Sequence, residues 1–228
     1  KLEVMELFAG TGAFRQGLSN LNKKHKIVAF SEIDPHAIEA YRAIHDDYVT
    51  PNLGDIKEIS YLPPCDLLTY GFPCQDISVA GKGQGIKEGT RSGLLLEVER
   101  LLEIGAILGT LPKYLILENV KALTQKKHRQ QFDEWLEKLE SLGYTNYYQV
   151  LNAKDYGIPQ NRERVFVISI LGDHKPFVFP EKQELILRLR DLLEDEAEER
   201  YYLKDEKTQE FIEKYKEKII QLEKSGGT

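Results

Sequence analysis

Cysteine is nearly absent: Cys65 and Cys74 are the two in 228 residues. That excludes a disulfide framework, and both are read as reduced thiols of a cytoplasmic protein. Long apolar runs are missing too. None approaches the ~20 residues of a membrane span, and no signal peptide is visible. There is no internal repeat and no low-complexity linker within the chain. Positive charge is in deficit, with 31 Lys and Arg against 37 Asp and Glu and a net charge of −6. The first residue is Lys1 rather than methionine, which implies trimming or residues missing ahead of it.

What is present suits one sizeable α/β core, at 41% hydrophobic residues. Apolar stretches at Val4–Phe8, Ile27–Ser31, Leu67–Tyr70, Tyr114–Leu117 and Val165–Ile170 read as strands. Helical patterns separate several of them, running up to Leu21 and over Pro35–Ile44, Gly93–Leu108 and His128–Leu142. This alternation predicts a mainly parallel, doubly wound sheet covered by helices on both faces. After Phe179-Pro180 the pattern becomes charged helix. Phe211, Ile212, Tyr215, Ile219 and Leu222 form a stripe there that suits packing on the core or on a partner. The expected division is a domain over 1–180 and a helical extension over 181–228.

Four stretches carry chemistry. In Cys65–Gln75 a short buried strand is broken by Gly71-Phe72-Pro73, and Cys74 follows at once. A thiol beyond a strand's carboxyl end sits where open α/β sheets place their reactive groups, although a lone cysteine is more often a packing residue. Ala9-Gly10-Thr11-Gly12-Ala13 joins the first strand to the first helix, as a ligand-approaching loop does or as tight packing alone demands. It fits neither the full dinucleotide fingerprint nor a P-loop, which needs a lysine. Glu32, about twenty residues on, and Asp55 in Gly54-Asp55-Ile56 are placed to accept hydroxyl or amino hydrogens. Each acid equally suits a helix N-cap, Asp34 before Pro35 above all. Glu118 ends the Tyr114–Leu117 run, and Arg162 and Arg164 precede the last strand, two apart and therefore on one side of extended backbone. The plain alternative for the arginines is a surface ion pair through Glu163.

In order, Phe8-Ala9-Gly10-Thr11-Gly12, Glu32, Gly54-Asp55-Ile56, Gly71-Phe72-Pro73-Cys74-Gln75, Glu118-Asn119-Val120 and Gln160-Asn161-Arg162-Glu163-Arg164 resemble the bacterial cytosine-C5 DNA methyltransferases. The resemblance covers about Val4 to Ile170 and implies the Rossmann-like fold of S-adenosylmethionine-dependent methyltransferases. It implies that Cys74 adds to C6 of a cytosine flipped out of duplex DNA, and that C5 then takes the methyl group of S-adenosylmethionine. Glu118 would hold N3 and the exocyclic amine, with Arg162 and Arg164 on O2 and the carboxylate. Phe8, Gly10, Gly12, Glu32, Ile33, Asp55 and Pro73 would form the cofactor pocket. Phe72 and Gln75 would shape the nucleophile loop, and Ser78–Gly89, with four glycines, Ser78 and Lys82, would close over substrate. No metal is implied. The expected setting is bacterial or phage cytoplasm, near the nucleoid.

Charge divides unevenly along the chain. Residues 191–228 hold 12 acids and 7 bases, leaving 1–190 close to neutral. Local bases at Lys82, Lys87, Arg91 and Lys126-Lys127-His128-Arg129 are thin for tight DNA binding. The family's target recognition domain and closing motifs have no counterpart here. The expectation is therefore a split enzyme whose recognition domain lies on a second polypeptide, with an incomplete piece or a degenerate relative as the alternatives. Two other functions stand beside it: a tRNA cytosine-C5 methyltransferase, a branch that usually carries Pro-Pro-Cys-Gln where this chain has Phe72-Pro73-Cys74-Gln75, and a non-catalytic S-adenosylmethionine- or DNA-binding module.

Overall fold

Leu67–Tyr70 is apolar or β-branched at each position and buried at all four, which only a strand covered on both faces permits. A computed structural model describes residues 1–21, 23–72, 93–202 and 205–224, without the side chains of 219 and 222–224. In it this segment is β3, the third of six strands. The others are β1 (Leu2–Leu7), β2 (His25–Ser31), β4 (Tyr114–Val120), β5 (Tyr144–Asn152) and β6 (Glu163–Leu171). Their order in the sheet is β2-β1-β3-β4-β6-β5. The pairs β1–β2, β1–β3 and β3–β4 are parallel, as the strand–helix alternation predicts.

At the far end the sheet changes sense, because β6 runs antiparallel to both β4 and β5. Strand β5 escaped the sequence reading. Its residues, Thr145, Asn146 and Gln149 among them, lack a clean apolar alternation, because Tyr144 alone in this edge strand is buried. The reversal has a geometric consequence. The start of β6 lands beside the end of β4, with Phe166 opposite Glu118 and Arg164 opposite Val120.

Helices cover both faces. On one, Leu18 of α1 (Ala13–Asn20) packs with Val4, Ile27 and Leu67. On the other, α3 (Leu94–Leu108) buries Leu95, Val98, Leu101 and Leu102, and α4 (Arg129–Ser141) buries Phe132, Trp135 and Leu139. These join Met5, Leu68, Tyr70, Leu115 and Leu117 in one core. Each such side chain contributes roughly 1.5–3 kcal/mol on burial. Helix α2 (Pro35–His45) opens with Asp34 as N-cap, its carboxylate accepting from the N–H groups of His36 and Ala37, and with proline at its first position.

The chain divides into two units, Lys1–Ile186 and Leu187–Thr228. The second holds α5 (Glu206–Lys224), on which the Phe211 and Tyr215 rings meet at 4.6 Å. Among the described residues no helix is long and apolar enough to cross a membrane.

Candidate functional site

The carboxyl ends of the parallel strands hold two separate cavities. The first, about 200 Å³, is lined by Phe8, Ser31, Glu32, Ile33, Gly54, Asp55, Ile56, Lys57 and Leu94. Its walls follow from how β1 and β2 end. Phe8, straight after β1, has φ +54°, a left-handed conformation that a bulky residue keeps only where its surroundings impose it. Ile33 is 68% exposed, an apolar side chain left at the cavity lip. Glu32 follows β2, and both its carboxylate oxygens are engaged by backbone. Oε2 accepts from Gly10 N–H at 2.8 Å, and Oε1 from Ile33 and Asp34 N–H at 2.8 and 3.0 Å. Asn52 holds its main chain, accepting from Glu32 N–H at 3.1 Å and donating to Glu32 O at 2.9 Å. Asp55 caps a 3₁₀ turn over Ile56–Glu58, accepting from Lys57 N–H at 3.0 Å. Both acids thus hold their loops and still face a cavity. Three backbone donors leave part of a carboxylate's acceptor capacity free for a ligand hydroxyl.

Gly10 and Gly12 differ. Gly10, with φ +55°, has open space around its Cα, whereas Gly12, with φ +82°, has none. A Cβ on Gly12 would run into the His45 imidazole and come within 2.8 Å of the Tyr41 ring. Gly12 is glycine because α2 packs on it, and neither Gly10 nor Gly12 lines the cavity, although both were expected in the cofactor pocket.

The second cavity, about 280 Å³, is lined by Glu118, Leu151, Ala153, Tyr156, Arg162, Arg164 and Phe166. Here the reversed β6 brings the cations to the acid. Arg164 Nε stands 3.0 Å and Arg162 Nη2 3.9 Å from Glu118 Oε1. Glu163 does not pair with them through its carboxylate, which Lys121 Nζ holds at 2.9 Å. The other carboxylate oxygen of Glu118 faces Gly71: a Cβ there would lie 3.4 Å from Glu118 Oε2 and 3.3 Å from Glu118 O. Next to it the buried Asn119 donates from Nδ2 to Phe72 O at 3.3 Å, tying β4 to the last described residue before Pro73. Phe72 itself is buried. An acid held by a fixed guanidinium, with its second oxygen toward open backbone, can grip a planar heterocycle edge-on.

Pro73, Cys74, Gln75, Ser78 and Lys82, with the rest of the Ser78–Gly89 stretch, lie outside the described residues. Cys65 is described. Burial, then the charge of Asp66, push its thiol up to about 12, so it is no source of thiolate near neutral pH. The sequence reading quoted Asn119 in a motif but gave it no role of its own, and it missed Asn52 and a polar group beneath the glycine loop. There Glu6, Arg15, Tyr41 and Asp47 join in one hydrogen-bonded chain. The available signal was Glu6, a carboxylate between Met5 and Leu7 in an otherwise buried strand.

Comparison with known proteins agrees with this arrangement. The sequence model of a family described as C-5 cytosine-specific DNA methylase matches residues 2–226. The chain is 41% identical, over 90% of its length and 71% of the relative's, to the type II methyltransferase M2.ScrFI of Lactococcus lactis subsp. cremoris. It is 36% identical to the orphan methyltransferase M.Rho11sI of Bacillus phage rho11s, over 96% of this chain and 50% of that protein. Its fold matches the S. pombe Dnmt2 methyltransferase with a TM-score of 0.68 at 23% identity, covering 91% of this chain and 64% of that one. The chain therefore spans from half to about seven tenths of the length of these relatives.

Proposed function

Since the chain belongs to the C-5 cytosine-specific DNA methylase family, whose members take their methyl group from S-adenosylmethionine, we propose that it carries the catalytic part of a DNA (cytosine-5-)-methyltransferase. Its substrate is a cytosine flipped out of duplex DNA. The observation that carries the reading is the meeting of Glu118 with Arg164 and Arg162 on β4, the strand paired with β3, whose last residue Tyr70 lies opposite Leu117 and which leads on to Cys74.

The Phe8–Glu32–Asp55 cavity fits the cofactor. Phe8 and Ile33 offer apolar surface to a purine ring, and Glu32 and Asp55 offer carboxylates to ribose hydroxyls and an amino group. When bound there, S-adenosylmethionine supplies an electrophilic methyl group.

The chain's own residues do the rest. The Cys74 thiolate forms a bond to C6, and the ring electrons move to C5, which becomes nucleophilic enough to take the methyl group. Glu118 holds N3 and the exocyclic amine. Arg164 fixes the Glu118 carboxylate through Oε1, and Gly71, having no side chain, lets Oε2 lie close to its backbone. Arg162, farther off at 3.9 Å, is free to turn toward O2. Loss of the C5 proton to a base then lets Cys74 leave, which restores the ring. Pro73, Gln75, Ser78 and Lys82 belong to the loop around the nucleophile in this reading.

Residues 1–180 form the catalytic domain and 181–228 a charged extension. Sequence-specific reading of DNA falls to residues outside these 228, on the same or a second polypeptide. The near-neutral charge of 1–190 favours this, because phosphate neutralisation supplies most non-specific affinity. The test, run with the DNA-reading part supplied, is transfer of a labelled methyl group from S-adenosylmethionine to duplex DNA and to tRNA in parallel. Label at C5 of DNA cytosine supports the reading. Label in tRNA alone turns it to the tRNA branch, and cofactor binding without transfer to either turns it to a binding module.

A further inference from the structure

The loop between β1 and α1 is an expensive conformation. Within five residues Phe8, Gly10 and Gly12 all have positive φ, at +54°, +55° and +82°. At the glycines this costs no strain, but at Phe8 such backbone persists only where neighbours over-determine it. The helix it opens also lacks the usual support, for Gly12 stands at the N-cap and offers no side-chain acceptor.

Support comes from beneath. Glu6, 1% exposed in β1, accepts the N–H of Arg15 in the first turn of α1 at 3.2 Å through Oε1. It thereby supplies the cap that Gly12 cannot. Its other oxygen accepts from the Tyr41 hydroxyl at 2.6 Å. Tyr41, fully buried on α2, in turn accepts from Arg15 Nη1 at 3.3 Å, and Asp47 holds the same Nη1 at 2.7 Å. Burial, and then the Glu6 carboxylate, raise the Tyr41 pKa, so the hydroxyl stays protonated and donates. One turn along α2, His45 Nε2 lies 3.1 Å from Thr11 O, and the imidazole packs where a Gly12 side chain would be. From the other direction Glu32 holds Gly10 N–H. The loop is thus held between Glu32, which lines the cavity, and a group on β1 and α2 that does not.

We propose that Tyr41 and His45 are positioning residues for S-adenosylmethionine: from α2, and in Tyr41's case through Glu6, they hold residues 8–12 in the shape that admits the cofactor. The proposal rests on the reading of the Phe8–Glu32–Asp55 cavity as the cofactor site. Neither side chain touches the ligand. Their effect reaches it only through the backbone at Phe8 and Gly10.

The test is calorimetric titration of the purified protein with S-adenosylmethionine, well below its melting temperature, alongside thermal melts. Tyr41→Phe keeps the ring stacked on Phe30 at 4.3 Å and removes the hydroxyl alone. His45→Ala frees Thr11 O. Each is expected to weaken binding by about three- to tenfold, the scale of one lost hydrogen bond. Glu6→Gln, which still accepts from Arg15 N–H and can donate its amide to the Tyr41 oxygen, is expected to stay within about twofold of wild type. Lower melting temperatures with unchanged affinity in both Tyr41→Phe and His45→Ala would overturn the proposal, since a merely structural role predicts that pattern. Wild-type affinity in Glu32→Ala would instead remove the cavity reading beneath it. Weakening in Glu32→Ala with none in the α2 variants would keep the cavity reading and remove only this inference.

Discussion

The two cavities are built from unlike materials. In the parallel half, Glu32 is held by three backbone N–H groups and by Asn52, so the acid belongs to the loop architecture. In the antiparallel end, Glu118 is held by side chains, Arg164 closely and Arg162 loosely. Backbone donors are fixed once the strands pair, whereas arginine side chains can turn as substrate arrives. The difference teaches which side is preformed. Around Glu32 the backbone already fixes the acid, whereas Arg162, at 3.9 Å from Glu118, is held only loosely.

Substitutions should separate the halves, and the largest effect belongs to the base side. Glu118→Gln keeps the shape but loses the charge that Arg164 holds and the carboxyl that steadies the ring. Methyl transfer should fall about 10²–10⁴-fold, the range of a positioned acid–base group, with S-adenosylmethionine affinity unchanged. A parallel loss of cofactor affinity would mean that the cavities are not independent. Glu32→Ala acts on the other half. It should weaken cofactor binding by about tenfold or more, at roughly 1.5–3 kcal/mol for a hydrogen bond to a charged group, and lower the melting temperature, because Gly10 loses its anchor. Arg164→Ala should impair transfer more than Arg162→Ala, following their distances of 3.0 and 3.9 Å from Glu118; equal effects in a steady-state assay would contradict the division of roles.

Much of the parallel half was legible in the residues. Apolar runs that end in glycine or an acid mark strands whose carboxyl ends carry chemistry: Glu32 follows β2, and Glu118 lies near the end of β4. Asp55, expected after a third strand, instead caps a 3₁₀ turn that no strand directly precedes. The two-residue spacing of Arg162 and Arg164 rightly set both on one side, but their partner was legible only once β6 was seen to run against β4. Strand β5 was hidden because its residues obey an edge strand's looser demands. The reason for Gly12 was hidden too, since nothing local shows that His45 and Tyr41, more than thirty positions away in one case and nearly so in the other, press against it. Long-range packing leaves no periodicity to read.

The smallest effect is on stability and divides Asp47 from Glu6. Burial works to raise the Asp47 pKa, yet hydrogen bonds from Thr50, Arg15 and Val49 together hold it well below the ordinary 3.8. Its contribution is therefore full above pH 3.8 and lost as pH falls toward the folded value. Glu6 has the opposite sign. Burial raises it above 4.5, so its contribution is full below that pH and is lost as pH rises through the folded value. Melting temperatures of Asp47→Asn should fall less steeply than wild type below about pH 4. Identical slopes would take Asp47 out of the balance.

The central claim is that Cys74, not Cys65, attacks a cytosine which Glu118 holds. Duplex DNA carrying 5-fluorocytosine, incubated with S-adenosylmethionine and the protein completed by its DNA-reading part, measures this directly, because fluorine at C5 prevents the final elimination and leaves the cysteine bonded to C6. A denaturation-resistant protein–DNA adduct is predicted for wild type and for Cys65→Ser, and none for Cys74→Ala. An adduct that survives Cys74→Ala, or its absence in wild type, would contradict the claim.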